Sequence, residues 1–337
     1  MTPFTNVQYQ WHDDFAALKA ELPTNRVIVT DANVARCLDL HDQSAIIVAP
    51  GEGSKSVETW SHVLGRLADS SATRATTVVA VGGGMVGDLA GFAAATYMRG
   101  VPFIQVPTSL LAMVDSSVGG KVAINLPQGK NLVGAFYHPS RVLFCEDALD
   151  TLPAREWRSG MAEVLKYGFI GDVDILNRVG IFGRDTYRDV IVRCVDYKRK
   201  VVAADERETS DIRATLNFGH TVGHALEAEA GYGDALLHGE AISIGMVVET
   251  FLAECLGIAR PGLTKEVQRY LEAEELPVDH PYLRQRPDEL IARMRRDKKA
   301  SDGRLTFALV PELGTCRIVR EVDEAAVRAA LVNVAQG

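Results

Sequence analysis

A β-branched run, Thr77–Val81, passes directly into Gly82-Gly83-Gly84-Met85-Val86-Gly87-Asp88, and apolar sequence of helical character, Leu89-Ala90-Gly91-Phe92, follows at once. Nothing else in the chain constrains the fold as much. Residues of the first kind suit a buried, pleated surface, glycines permit a tight turn and close backbone approach, and a helix leaving such a turn must return across the sheet. Strand, glycine turn and helix also bring free N–H groups up to an anion such as a pyrophosphate. The spacing differs from G-x-G-x-x-G, however, so a glycine-rich tight connection with no ligand is an equal reading.

The alternation recurs through the first half. Candidate strands are Arg26–Thr30, Ala45–Ala49, Thr77–Val81, Pro102–Val106 and Val142–Phe144, and the stretches near Val57–Leu67 and Val86–Met98 read as helices. Strands alternating with helices predict a doubly wound, mainly parallel sheet. After Thr151-Leu152-Pro153 helical patterns dominate from Glu156 to about Arg296, and a late pair of runs, Leu305–Val310 and Cys316–Val319, suggests a small hairpin. Two domains are therefore expected, 1–150 and 151–337, each of ordinary size. The expected place for an active site is the cleft between them.

Charge narrows the ligands. With 36 basic and 44 acidic residues the chain carries −8 at pH 7, which tells against non-specific attraction to nucleic acid or anionic membrane. An anionic substrate then needs a local cluster of cations. The opening MTPFTNVQYQWHDDF has neither the basic nor the apolar region of a signal peptide, and no apolar run reaches the roughly 20 residues of a membrane span. Cys37, Cys145, Cys194, Cys255 and Cys316 are scattered without a C-x-x-C pair. Free thiols in a reducing, cytoplasmic setting are expected.

Two further segments carry chemistry. Pro107 to Lys121 sets hydroxyls, Asp115, glycines and Lys121 in an apolar stretch, with Gly129-Lys130-Asn131 soon after, a mixture suited to phosphate. A solvated loop is the plainer alternative, but Leu110-Leu111-Ala112-Met113-Val114 should be drawn into a core. Asn217-Phe218-Gly219-His220-Thr221-Val222-Gly223-His224 opens an apparent helix, Leu237-His238-Gly239-Glu240 supplies a third histidine, and Glu163 and Lys166 lie three apart in Gly160–Lys166. One carboxylate and two imidazoles with an open position form a common catalytic zinc set. Spacing alone favours His220 and His224, four apart on one helix face. Hydrogen-bonded structural histidines remain the competing explanation, so the ligand set stays open on spacing.

Taken together, GGGMVGDLAGFAAATYMRGV, VPTSLLAMVDSSVGGKVAIN, GKNLVGAFYHP, GMAEVLKYG, DERE, NFGHTVGHALE, LHGEAISIGM and RDKK resemble the 3-dehydroquinate synthases, within the sugar phosphate cyclases, from about Gly82 to Lys299. The resemblance implies a Rossmann-like α/β N-terminal domain, a mainly α-helical C-terminal domain and a homodimer. It implies NAD and a divalent ion, Zn2+ or Co2+, held by Glu163, His220 and His238, with His224 turned instead to substrate phosphate. Phosphate contacts would also come from Lys121, Asn131 and Lys298, with Arg99 reaching across the dimer. Lys198, Arg213 and Asn217 would hold the carboxylate end and ring hydroxyls, with Asp115 and Lys166 nearby. NAD would rest on Gly83, Gly84 and Asp88, with Asp31, Glu52, Lys55, Thr108, Ser109 and Lys130 completing its pocket. The implied substrate is 3-deoxy-D-arabino-heptulosonate 7-phosphate.

The chain departs from the family pattern in one place that matters. Asp205 to Arg213 looks one residue longer than usual, which would shift Arg213. A sibling cyclase acting on another sugar phosphate and a metal-dependent NAD alcohol dehydrogenase are the rival enzymes. A non-catalytic NAD-binding protein is the rival of another class.

Overall fold

Period-two alternation builds the central sheet, because successive side chains of a strand point to opposite faces. Val27, Val29, Val78 and Ala80 enter one core while Ile28, Val79 and Val81 enter the other. A strand buried on both faces reads as an unbroken apolar run, which is why these segments look parallel from sequence. The computed structural model describes residues 3–40, 45–179, 186–233, 235–297 and 305–334. The chain divides into two compact units, Met1–Trp157 and Arg158–Gly337.

In the first unit six strands form one sheet: β1 (Gln8–His12), β2 (Arg26–Asp31), β3 (Ala45–Val48), β4 (Thr77–Gly82), β5 (Phe103–Pro107) and β8 (Arg141–Cys145). Their order is β1-β8-β5-β4-β2-β3, and every pairing is parallel. Helices α1 (Phe15–Ala20), α2 (Ala32–Cys37), α3 (Val57–Asp69) and α4 (Gly84–Thr96) make or flank the crossovers. An antiparallel hairpin, β6 (Lys121–Leu126) with β7 (Gly129–Phe136), stands apart from the sheet.

In the second unit α5 (Ala154–Ile170) is buried at every residue from Ser159 to Ile170. It is followed by α6 (Tyr187–Ala204), α7 (Asp211–Ala214), α8 (His220–Glu229), α9 (His238–Cys255), α10 (Leu263–Ala273), α11 (Tyr282–Gln285) and α12 (Pro287–Asp297). The expected late hairpin is β9 (Leu305–Leu309) with β10 (Arg317–Val322), and α13 (Glu324–Asn333) closes the chain. Helix α9 is apolar nearly all round and buried along most of Gly239 to Thr250, the pattern of a central helix.

Several expectations shift. The helix expected to reach Met98 stops at Thr96, because Met98 (φ 48°) and Arg99 (φ 67°) adopt left-handed backbone. Asn217 does not open α8; it ends a short 3-10 turn, and Gly219 (φ 79°) caps a helix that begins at His220. Strands β1, β6 and β7 lie outside those expected. Among the described residues no helix is long and apolar enough to cross a membrane.

Candidate active site

In the first unit the strand order creates a candidate binding edge. From β2 the chain crosses outward to β3, and from β4 it crosses the other way to β5, so the topology switches direction between the adjacent strands β2 and β4. Ligands of open parallel sheets bind at such a switch, beyond the carboxyl ends of the strands. Asp31 ends β2, Gly83 and Gly84 follow β4, Thr108 and Ser109 follow β5, and Glu52 and Lys55 lie just after β3. Gly83 precedes α4 with no side-chain cap, leaving first-turn N–H groups available to an anion.

Polar side chains at this edge are mutually tied. Lys55, 4% exposed, reaches Asp88 Oδ2 at 2.5 Å and Glu52 Oε1 at 3.7 Å. Burial pushes its pKa down, but Asp88 and Glu52 outweigh that and hold it above the usual lysine value. Asp31 Oδ1 accepts from the N–H groups of Asn33 and Val34, capping α2, and Ser109 Oγ accepts from Ala112 N–H. Asn125 was not among the expected residues, yet it joins three of the elements. Its amide donates to Glu52 Oε1 at 2.8 Å, its N–H to Lys55 O at 2.7 Å, and its Oδ1 accepts from Asn131 N–H at 2.9 Å. Asp115 sits in a π-helical turn, Ala112–Ser116, a local distortion frequent at functional sites. Lys121 opens β6, and Lys130 and Asn131 lie at the start of β7.

The second unit assembles the metal candidates by close helix contacts. A Cβ on Gly239 would lie 1.9 Å from the Ser159 carbonyl oxygen, and Gly239 N–H donates to Ser159 Oγ at 3.0 Å. Ser159 is one turn before Glu163, so this contact sets the start of α9, with His238, beside Glu163. A Cβ on Gly245 would lie 1.9 Å from the Gly219 carbonyl oxygen, which brings His220 in from α8. The N-terminus of α8 is held by Glu249, wholly buried on α9, which accepts from Gly219 N–H at 2.7 Å and Val222 N–H at 3.1 Å.

Glu163, His220 and His238 therefore converge, with their ligand atoms all within 4.8 Å of one another. Both Nε2 atoms, of His220 and of His238, lie 3.5 Å from Glu163 Oε1. Two donors bound at about 2.1 Å to one tetrahedral ion stand about 3.4 Å apart, so the spacing fits such an ion. The other ring nitrogens are engaged: His220 Nδ1 with the Phe218 carbonyl at 3.1 Å, and His238 Nδ1 with Glu227 Oε2 at 3.0 Å. A carbonyl can only accept, so His220 carries its proton on Nδ1 and turns the Nε2 lone pair to the cluster.

Electrostatics agree with a cation there. Burial, together with Lys166, His224 and His238, keeps the His220 pKa well below the usual imidazole range. Burial also opposes charge on His238, but Glu227 and Glu163 outweigh it and push its pKa up to about 10. A metal ion would replace that proton. Lys166 lies against Glu163 Oε2, a charged pair inside a helix segment otherwise buried throughout. Burial of that kind is costly.

The spacing-based pair, His220 with His224, is thus replaced by His220 with His238. The two α8 rings stack edge to face at 5.2 Å, and His224 falls in a second group with Glu227 and His238. Lys198 and Arg213 are buried on α6 and α7. Asp205 gathers the loop between them, accepting from the N–H groups of Thr209, Ser210 and Arg213. Arg213 donates to the Glu206 carbonyl at 2.5 Å and lies 3.5 Å from Glu208 Oε1. Glu208 has φ 56°, so the apparently long loop contains a left-handed residue. Lys298 lies outside the described residues. Glu227, Ser159 and Glu249 escaped sequence reading; only Glu227 carried a signal, the i, i+4, i+7 stripe His220, His224, Glu227.

Comparison with known proteins places the chain. Family models described as 3-dehydroquinate synthase N-terminal and C-terminal match residues 45–159 and 160–300. The chain belongs to the 3-dehydroquinate synthase family. A 3-dehydroquinate synthase of Xanthomonas oryzae pv. oryzae (strain MAFF 311018) is 48% identical over 293 residues, covering 84% of this chain and 79% of its own. ValA, a 2-epi-5-epi-valiolone synthase from Streptomyces hygroscopicus subsp. jinggangensis 5008 solved with NAD+ and Zn2+ bound, is 27% identical with a TM-score of 0.88, over 100% of this chain and 98% of its own. A 2-deoxy-scyllo-inosose synthase complexed with carbaglucose-6-phosphate, NAD+ and Co2+ shares the fold at 24% identity and a TM-score of 0.85, over 96% of each chain.

Proposed function

We propose that this protein is a 3-dehydroquinate synthase, converting 3-deoxy-D-arabino-heptulosonate 7-phosphate to 3-dehydroquinate and phosphate with catalytic NAD and a divalent ion. The observation that carries this reading is the meeting of Glu163, His220 and His238, each imidazole Nε2 3.5 Å from Glu163 Oε1 as two donors to one tetrahedral ion would be, in a chain of this family. Bound there, the ion and NAD supply Lewis-acid polarisation of a substrate oxygen and reversible hydride transfer. Zinc is the proposed ion, with cobalt able to replace it.

The chain's own residues then bind and orient. Gly83, Gly84 and the N–H groups opening α4 receive the NAD pyrophosphate, while Asp31, Glu52, Lys55, Asp88, Thr108, Ser109 and Lys130 complete that pocket. Lys121, Asn131, His224 and Lys298 take the substrate phosphate. Arg213 suits the carboxylate, because a guanidinium grips it through two parallel hydrogen bonds where lysine offers one charge. Lys198 and Asn217 hold ring hydroxyls, with Asp115 and Lys166 beside the reacting groups. These cations account for anion binding by a chain of net charge −8. A homodimer sharing Arg99 and a cytoplasmic location complete the reading.

The test is incubation with the heptulosonate phosphate, NAD and Zn2+, following phosphate, cyclic ketone and NADH together. Phosphate and ketone should rise equally with no net NADH. NADH accumulating in step with substrate consumed would identify a dehydrogenase instead. Chelation should abolish turnover, and added Zn2+ or Co2+ should restore it.

A further inference from the structure

Glu227 has no role in the assignments above, yet it is 3% exposed and ionisable. It lies on α8 one turn beyond His224 and two beyond His220, so the three share a face. Its Oε2 is 3.0 Å from His238 Nδ1, while the opposite nitrogen of the same ring faces Glu163 Oε1 at 3.5 Å. His220, the other imidazole of the cluster, has its Nδ1 held by a backbone carbonyl at 3.1 Å. The two rings are thus anchored differently, one by the main chain of its own helix entry and one by a buried side chain from another helix.

We infer that Glu227 is a positioning residue for the metal site, fixing the His238 ring and its Nδ1–H tautomer so that Nε2 is presented to the ion. A carboxylate behind a ligating imidazole orients the ring and raises its basicity. Packing alone does not call for this group, since burying a carboxylate is costly unless it is paired. His238 starts α9, where no preceding helical turn braces its side chain, so an external brace has most to contribute there.

This inference rests on the three-ligand reading, and the measurement separates the two. Zn2+ affinity is measured by competition with a chromophoric chelator for the wild type, Glu227→Gln and Glu227→Ala, with the melting temperature of each metal-free form. The wild type should bind one Zn2+ per chain. Glu227→Ala should weaken binding by roughly 10–100-fold, and Glu227→Gln should recover part of the loss, because its amide oxygen still accepts from Nδ1–H without the charge. The visible absorption of the Co2+ form should shift in Glu227→Ala. Unchanged Zn2+ affinity and Co2+ spectrum in both variants, even with lowered melting temperatures, would mark a packing role and overturn the inference. Two ions per wild-type chain, the second lost in Glu227→Ala, would make Glu227 a ligand with His224 and overturn it equally. If the wild type binds no Zn2+, the three-ligand reading fails and this inference goes with it.

Discussion

The two candidate sites, one in each unit, use glycine for opposite purposes. In the first, Gly83 and Gly84 sit on a turn beyond a strand, and a Cβ on Gly84 would meet only the Ser116 side chain, its hydroxyl at 3.0 Å. Glycine there meets no backbone and leaves the space beside the turn open. In the second, a Cβ on Gly239 or on Gly245 would come within 1.9 Å of a backbone carbonyl oxygen inside the protein. Glycine there lets helices touch, and the touching assembles the site. The candidate residues of one unit lie around the edge of a parallel sheet; those of the other are held in the helix interfaces themselves. Binding and folding should therefore be separable in the first unit and inseparable in the second.

The largest effect follows from that difference. Gly239→Ala should lower stability by about 3 kcal/mol and abolish Zn2+ binding together, read by calorimetry and chelator competition; loss of either one alone would break the comparison. A smaller, purely functional effect is expected in the first unit. Gly84→Ala should weaken NAD binding about tenfold, or roughly 1.4 kcal/mol, with a melting temperature close to that of the wild type, since the Ser116 hydroxyl can rotate away. A large melting shift would show that this turn is structural after all. The smallest effect concerns Lys55. Its pKa is held above the usual value of 10.5, so its contribution to stability is fully present below that pH and is lost as pH rises through the folded value. Alkaline titration of stability should show a step above pH 10.5 that Lys55→Met lacks.

How much of this the sequence could reveal follows the same division. The parallel strands were legible because burial on both faces leaves continuous β-branched runs, as in Thr77–Val81. Strand β1, Gln-Tyr-Gln-Trp-His, was not, since it lies at an edge and takes its pairing from Arg141–Cys145, far along the chain. Residues at the switch point were readable as a turn, though which of them cooperate depends on strand order. The cluster of Glu163, His220 and His238 was half legible. Helical spacing correctly brought His220 and His224 to one face, but the partner of His220 comes from another helix. Close contacts such as those at Gly239 and Gly245, with the Glu249 hydrogen bonds, decide that, and a glycine in sequence does not announce what it touches.

Strand β1 has a temporal consequence. It is an outermost strand of its sheet, and its neighbour there, β8, begins at Arg141. At a translation speed of roughly 5–20 residues per second, this strand waits on the order of ten seconds after its own synthesis for its partner. A short segment with three polar side chains among its five residues is well suited to that delay, being a poor template for adhesion to other nascent chains.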